Sequence, residues 1–307
     1  MDKERTGELL VLSAGLLWSL FPIITKLAYN SLSPLHTAGW SALFAAVFFI
    51  VVSGARKTFL ELKNKTAYKP MILTTILNGI LFYGLLFTGL KYTTAGNAAI
   101  LSLMEILFTM AILRLWKKEE LEKKQILGSL LMIVGAVLVL VNKQFLFNSG
   151  DWIIIAAVAI PPFGNYYAKQ AREHVSSSTI LLVRNLVSGI ALMLIGSFFF
   201  TTPAIAELKP SLIFLAINGL ILFGLTKLLW LEAIHRLLIG KAIALSSISP
   251  LFTVIFAFFI LNEVPTVGQI AGLVSVITGI YLLTKKDHQK NRLRWLFDSV
   301  KSKAKRQ

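Results

Sequence analysis

Apolar residues fall in ten blocks along this chain, at about 9–29, 35–53, 71–90, 95–114, 125–141, 152–170, 178–200, 212–231, 241–261 and 267–284. Gly, Pro, polar or Lys/Arg residues close off each block. A helix needs roughly 20 residues to cross a hydrocarbon layer about 30 Å thick, and each block is near that length. The blocks are continuous and lack the short alternating segments of a barrel, and backbone groups in lipid must be bonded within the element. The pattern predicts an all-α membrane protein of ten transmembrane helices, here called spans 1 to 10. The residues before span 1, MDKERTGE, mix acids with bases and offer no small-residue cleavage site, so span 1 is read as retained.

The stretch from Gly240 to Thr284 is written twice. The copy beginning at Gly96 runs beside it without a gap, at an offset of 144 positions. Leu101 and Ser102 meet Leu245 and Ser246, Phe108 and Thr109 meet Phe252 and Thr253, and Glu119 meets Glu263. Gln125, Ile126, Gly128 and Gly135 meet Gln269, Ile270, Gly272 and Gly279. A weaker match sets Trp18–Ala28 against Pro161–Ala171 at an offset of 143, pairing Lys26 with Lys169. Each copy holds five spans, an odd number, so the second enters the membrane from the opposite side. The expected architecture is two inverted five-helix repeats, 1–141 and 152–284, joined by an external linker at 142–151 and followed by a cytoplasmic tail at 285–307. Two such halves can exchange shapes about a shared midplane site, which is alternating access. The same duplication could also build a rigid scaffold.

Charge fixes the orientation. Of the 31 Lys and Arg residues, only Lys91, Lys143 and Lys209 fall on one side, and Lys26, Arg184 and Lys227 lie within spans. The rest flank the other side, which is therefore cytoplasmic, with both termini on it. The net charge of +16 is thus a matter of membrane orientation, and a nucleic-acid partner is not expected. Only 15% of residues are charged, 56% are hydrophobic and the mean hydropathy is +0.73, a composition suited to a bilayer. The chain has no cysteine, so disulfides, thiol chemistry and cysteine-held metals are excluded.

The stretch SSISPLFTVIFAFFILNE (Ser246–Glu263), the QIAG that follows, and the counterpart KKEELEKKQILG resemble the EamA-like ten-span carriers of the drug/metabolite transporter superfamily. The resemblance covers about 9–284. It implies ATP-independent export or exchange of small metabolites, such as amino acids or drug-like compounds. One departure stands out. Pro250 of the second copy meets Ile106 in the first, so span 4 has no proline to kink it.

Ionisable residues within a bilayer are costly and mark candidate sites. Glu105 lies near the middle of span 4, about 15 Å from either end at 1.5 Å per residue. It is the candidate for proton coupling or substrate contact, or else a neutral carboxyl tying helices together. Arg184, about two turns into span 7, keeps its charge and needs a carboxylate, an anionic substrate group or a route to the interface. Lys227 is late in span 8. Its five-residue spacing from Glu232 does not share a helix face, so that pair is not expected. Lys26, near the outer end of span 1, is expected to snorkel.

Neutral candidates follow. Asn78-Gly79 and Asn218-Gly219 each precede a further glycine by six residues, allowing close helix approach with the amides bonding across it. Asn165 and Tyr166, after Pro161-Pro162, suggest a broken helix lining water, as do Ser246, Ser247 and Ser249 before Pro250. Trp18, Phe21, Tyr83 and Trp230 are candidates to pave a cavity. The tail from His288 sets Leu293, Leu296, Phe297 and Val300 at helical spacing among basic residues, as in a helix lying on anionic lipid.

No P-loop, no HExxH and no clustered His, Asp or Glu constellation occurs, so neither an enzyme nor a cofactor is expected. The sequence therefore points to a secondary carrier of the inner membrane, and the resemblance implies that it exports a small organic metabolite. An exchanger or importer of phosphorylated metabolites or nucleotide sugars is the alternative within transport.

Overall fold

The computed structural model describes residues 3–29, 32–117, 123–140, 148–234, 236–237, 242 and 245–284, and their regular structure is helical throughout. Residues 141–147, which include most of the expected linker 142–151, and the tail 285–307 lie outside the described residues.

Six helical runs are long and apolar enough to cross a membrane: Glu4–Ala28, Pro34–Ala55, Lys65–Lys91, Ala95–Ile112, Ser177–Phe199 and Ala206–Ala233. Ile126–Val139, Ser249–Leu261 and Val267–Leu282 are shorter apolar helices. The sixth block is broken into Ser149–Val158 and Pro161–Arg172. Large apolar side chains such as Phe198, Phe259 and Val267 face outward, as a lipid-facing surface requires.

Spans 2 and 7 start alike. The Ser33 hydroxyl accepts from the His36 amide and the Ser176 hydroxyl from the Thr179 amide, so each N-terminus is capped by serine. These two spans pack on each other through Gly39 and Gly189, each beside the other's carbonyl oxygen. Spans 5 (Lys123–Leu140) and 10 (Val267–Thr284) pack likewise. Gly135 meets the Gly272 carbonyl while Gly279 meets the Gly128 carbonyl, so the earlier glycine of one span faces the later glycine of the other. The two helices therefore run antiparallel, as inverted copies must.

The breaks inside spans are also duplicated. Span 3 contains a π-helical stretch, Thr75–Leu81, and span 8 another, Ile217–Leu225, and each holds an Asn-Gly pair. Asn78 Nδ2 donates to Asn165 Oδ1 at 2.9 Å, and Asn218 Nδ2 donates to Thr25 Oγ1 at 3.1 Å. Both partners sit in helices that restart at proline, Phe21–Ala28 with Pro22 and Pro161–Arg172 with Pro162. Asn78 and Asn218 are 140 positions apart, as are Thr25 and Asn165. The structure thus relates these spans at 140 rather than the expected 143, and Lys26 no longer corresponds to Lys169. The matches of Lys26 with Lys169 and Ala28 with Ala171 set the alignment at 143, whereas the prolines and π turns correspond at 140.

Span 4 is interrupted without proline. Helix Ala95–Ser102 ends, the Leu103 amide bonds the Ile100 carbonyl and the Ile106 amide bonds the Leu103 carbonyl, and Met104–Lys117 continues. The tightened i to i+3 bonds do here what Pro250 does in span 9.

Candidate substrate site

Glu105 sits in the first turn after that interruption, half-buried. Its Oε1 accepts from Asn165 Nδ2 at 3.4 Å. Asn165 in turn accepts from Asn78, so spans 4, 6 and 3 are joined by one polar chain. Gly164 makes this possible, since a Cβ there would collide with the Asn78 amide.

Glu105 is attracted by Lys227 of span 8, and Lys227 is repelled by Arg184 of span 7. The Lys227 Nζ lies 3.6 Å from the centroid of the Trp18 ring, a cation–π contact. The Arg184 guanidinium stands 5.8 Å from the Tyr83 ring centroid. Tyr83 stacks on Phe223 at 4.3 Å and Trp18 on Phe21 at 4.6 Å, with Phe87 edge-on to both Phe21 and Phe223. Three charged side chains thus share one region of the interior, over an aromatic floor supplied by both copies.

Of the residues predicted for the site, Glu105, Arg184, Lys227, Asn78, Tyr83 and Asn165 are brought together. Others fall elsewhere. Tyr166 is exposed and lies edge-on to Tyr167. Ser249 Oγ donates to the Gly15 carbonyl at 2.9 Å, and Ser246 also lies beside Gly15. The serines before the buried Pro250 thus serve to dock span 9 on span 1. Trp230 packs with Val11, Ala233 and Leu237, away from the aromatic floor.

Lys26 does not snorkel. Its Nζ bonds Glu263 Oε1 at 2.8 Å and the Thr93 carbonyl at 2.8 Å. The other Glu263 oxygen accepts from the Ala95 amide at 2.9 Å and the Gly96 amide at 3.4 Å, the start of span 4. A carboxylate is favoured at a helix N-terminus, which explains why Lys26 finds one within reach instead of extending to water. Beside it, fully buried Asp151 accepts from Asn97 Nδ2 at 3.2 Å and from the Thr93 hydroxyl. Gln269 Nε2 donates to Asn97 Oδ1 at 2.7 Å. This clasp joins spans 1 and 4 of the first copy to spans 6, 9 and 10 of the second. Sequence reasoning missed it. Glu263 and Gln269 stood out only as duplicated positions, and Asp151 was placed in the external linker 142–151, whereas it lies in helix Ser149–Val158.

A bundle of two antiparallel-packed halves, with a charged cluster between them and a polar clasp at one end, is the construction of a multi-pass membrane transporter. The chain belongs to the EamA-like transporter family, which matches residues 5–141 and 148–285. It is 27% identical over 297 residues to an uncharacterized transporter of Methanothermobacter thermautotrophicus, covering 90% of this chain and 85% of that one. It is 28% identical over 310 residues to a probable amino-acid metabolite efflux pump of Salmonella typhimurium, covering 91% and 95%. A solved crystal structure shares the fold, with a TM-score of 0.66 at 15% identity, over 91% of this chain and 96% of that one. The family and both relatives carry transporter names.

Proposed function

We propose that this protein is a secondary active transporter of the cell (inner) membrane. It crosses ten times with both termini cytoplasmic, and it exports a small organic metabolite of the amino-acid or drug-like class by alternating access. The observation that carries the reading is that the ionisable side chains of spans 4, 8 and 7 each meet a residue of the other copy, Glu105 with Asn165, Lys227 with Trp18 and Arg184 with Tyr83. Charges in a bilayer interior face pathways and binding sites, and a site between two inverted halves is where alternating access operates. The name of the Salmonella relative supports the substrate class and the direction.

Glu105 acts as the coupling group, bound to Asn165 in one state and released in another. The energy comes from a proton, ion or substrate gradient. In proteoliposomes loaded with a cell metabolite extract, the wild-type protein releases a defined subset of solutes and responds to an imposed proton gradient. Glu105→Gln is expected to lose that response and about tenfold or more of the flux, the size of a general acid–base contribution at its low end. Unchanged flux and unchanged gradient response would remove Glu105 from the mechanism.

The convergence of Arg184 and Lys227 also favours a second reading, an exchanger of phosphorylated metabolites. Glu105 offsets one of those cations, which leaves a dianion incompletely balanced. Retention of amino acids with release of sugar phosphates in the same assay would establish the second reading instead.

A further inference from the structure

Arg184 is 9% exposed, and its Nε and Nη2 have no hydrogen-bond partner among the described residues. These two nitrogens form the side-on fork of the guanidinium, the pair of parallel N–H groups that grips a planar carboxylate with two bonds. One helical turn further on, the buried Ser188 hydroxyl is likewise without a partner. Residues four apart share a helix face, so Arg184 and Ser188 lie on the same face of span 7.

Spans 3 and 8 supply the surroundings. Gly79, in the π turn of span 3, lets that backbone come close. A Cβ there would stand 2.8 Å from Ser188 Cβ and 3.1 Å from Arg184 Cγ. The Tyr83 ring faces the guanidinium, and the Lys227 ammonium lies within its field. Glu105 does not answer the fork: its hydrogen bond is with Asn165, and neither fork nitrogen has a partner among the described residues. At ordinary charges the cluster holds two cations and one carboxylate.

A buried guanidinium without a counter-charge is costly, and Arg cannot escape by losing its proton. The geometry points to a subsite in which Arg184 Nε and Nη2, with the Ser188 hydroxyl, bind the carboxylate of the transported substrate. This rests on the transport reading above and narrows the substrate class to monocarboxylates, amino acids among them. One carboxylate balances the excess positive charge and satisfies the fork and the hydroxyl together, whereas a phosphate dianion overshoots the balance. Asn165 of span 6, which bonds both Asn78 and Glu105, is exposed.

The test uses the full-length protein in detergent and in liposomes, with the common L-amino acids and their C-terminal amides as probes. At least one acid is expected to raise the melting temperature and to compete in flux. Its amide should bind about 30-fold or more weakly, since a charge-assisted bidentate contact is lost. In Arg184→Gln the difference between acid and amide should vanish, and in Ser188→Ala it should shrink by about tenfold. Arg184→Lys, which keeps charge but not the fork, should recover only part of it. Should Arg184→Gln not fold, Ser188→Ala and Arg184→Lys decide by the same ratio. Equal binding of acid and amide by the wild type, or an unchanged ratio in the variants, overturns the subsite. Flux of other solutes in those samples would leave the carrier reading standing. If no solute of a cell extract moves, the carrier reading itself fails.

Discussion

Lys26 and Glu263 meet at 2.8 Å between the first span of one copy and the end of the ninth span, in the other. Each side chain is about four-fifths buried, and Glu263 is also held by two backbone amides at the start of span 4. On the proposed orientation this clasp shuts the outer end, and outward opening must break it.

Glu263→Gln is therefore expected to favour the outward-open shape. A hydrogen bond to a charged group contributes about 1.5–3 kcal/mol, or roughly a 10- to 100-fold shift in population. The chain has no cysteine, so a single one at Ala98, one turn below the clasp, reports cleanly. Its labelling by an impermeant maleimide from outside should accelerate by that factor. An unchanged rate would mean that the clasp is structural only.

Close glycine packing makes a second prediction. A Cβ at Gly135 would lie 2.8 Å from the Gly272 carbonyl, and one at Gly279 2.6 Å from the Gly128 carbonyl, so backbone must shift in either case. Gly135→Ala and Gly279→Ala should each cost about 1–3 kcal/mol by overpacking. Gly54→Ala meets only a Phe59 ring carbon at 3.6 Å and serves as the control. Thermal melting in detergent would refute the packing argument if all three melted together.

Glu61 gives a pH dependence outside the spans. Burial pushes its carboxyl pKa up, but bonds from the Ser176 amide at 2.6 Å and the Thr179 hydroxyl at 2.7 Å, with the Arg172 charge nearby, outweigh this. The folded value therefore lies below the ordinary one for glutamate. A depressed folded value means stability that is present above the unfolded pKa and lost as pH falls through the folded one. Glu61→Gln should lower stability at neutral pH by about 1 kcal/mol, modest because the group is partly solvated. The gap between variant and wild-type melting should close as the pH drops below the ordinary glutamate range. A gap that persists in acid would show that charge plays no part.

What could be read from the sequence was whatever leaves a periodic or duplicated mark. Long apolar blocks gave the helices, and Gly128, Gly135, Gly272 and Gly279 gave the second half of each copy. The midplane candidates Glu105, Arg184 and Lys227 were visible because charge is expensive in lipid. Their meeting was not, because span 8 must pack across the halves before Lys227 can reach Trp18. Ser188 and Phe223 left no signal at all, since a serine or a phenylalanine in an apolar helix is commonplace. Lys26 was misread because its partner lies 237 residues away, where no local rule looks. The break in span 4 was hidden for the opposite reason, since no residue type announces two i to i+3 bonds at Leu103.

The seam between spans 5 and 10 maps onto itself when the two copies are exchanged, since Gly128 with Gly279 and Gly135 with Gly272 simply trade places. On the alternating-access proposal, such a self-mated joint serves as an axle. It meets the same neighbours whichever mouth is open, so the choice of mouth is left to the asymmetric parts of the machine.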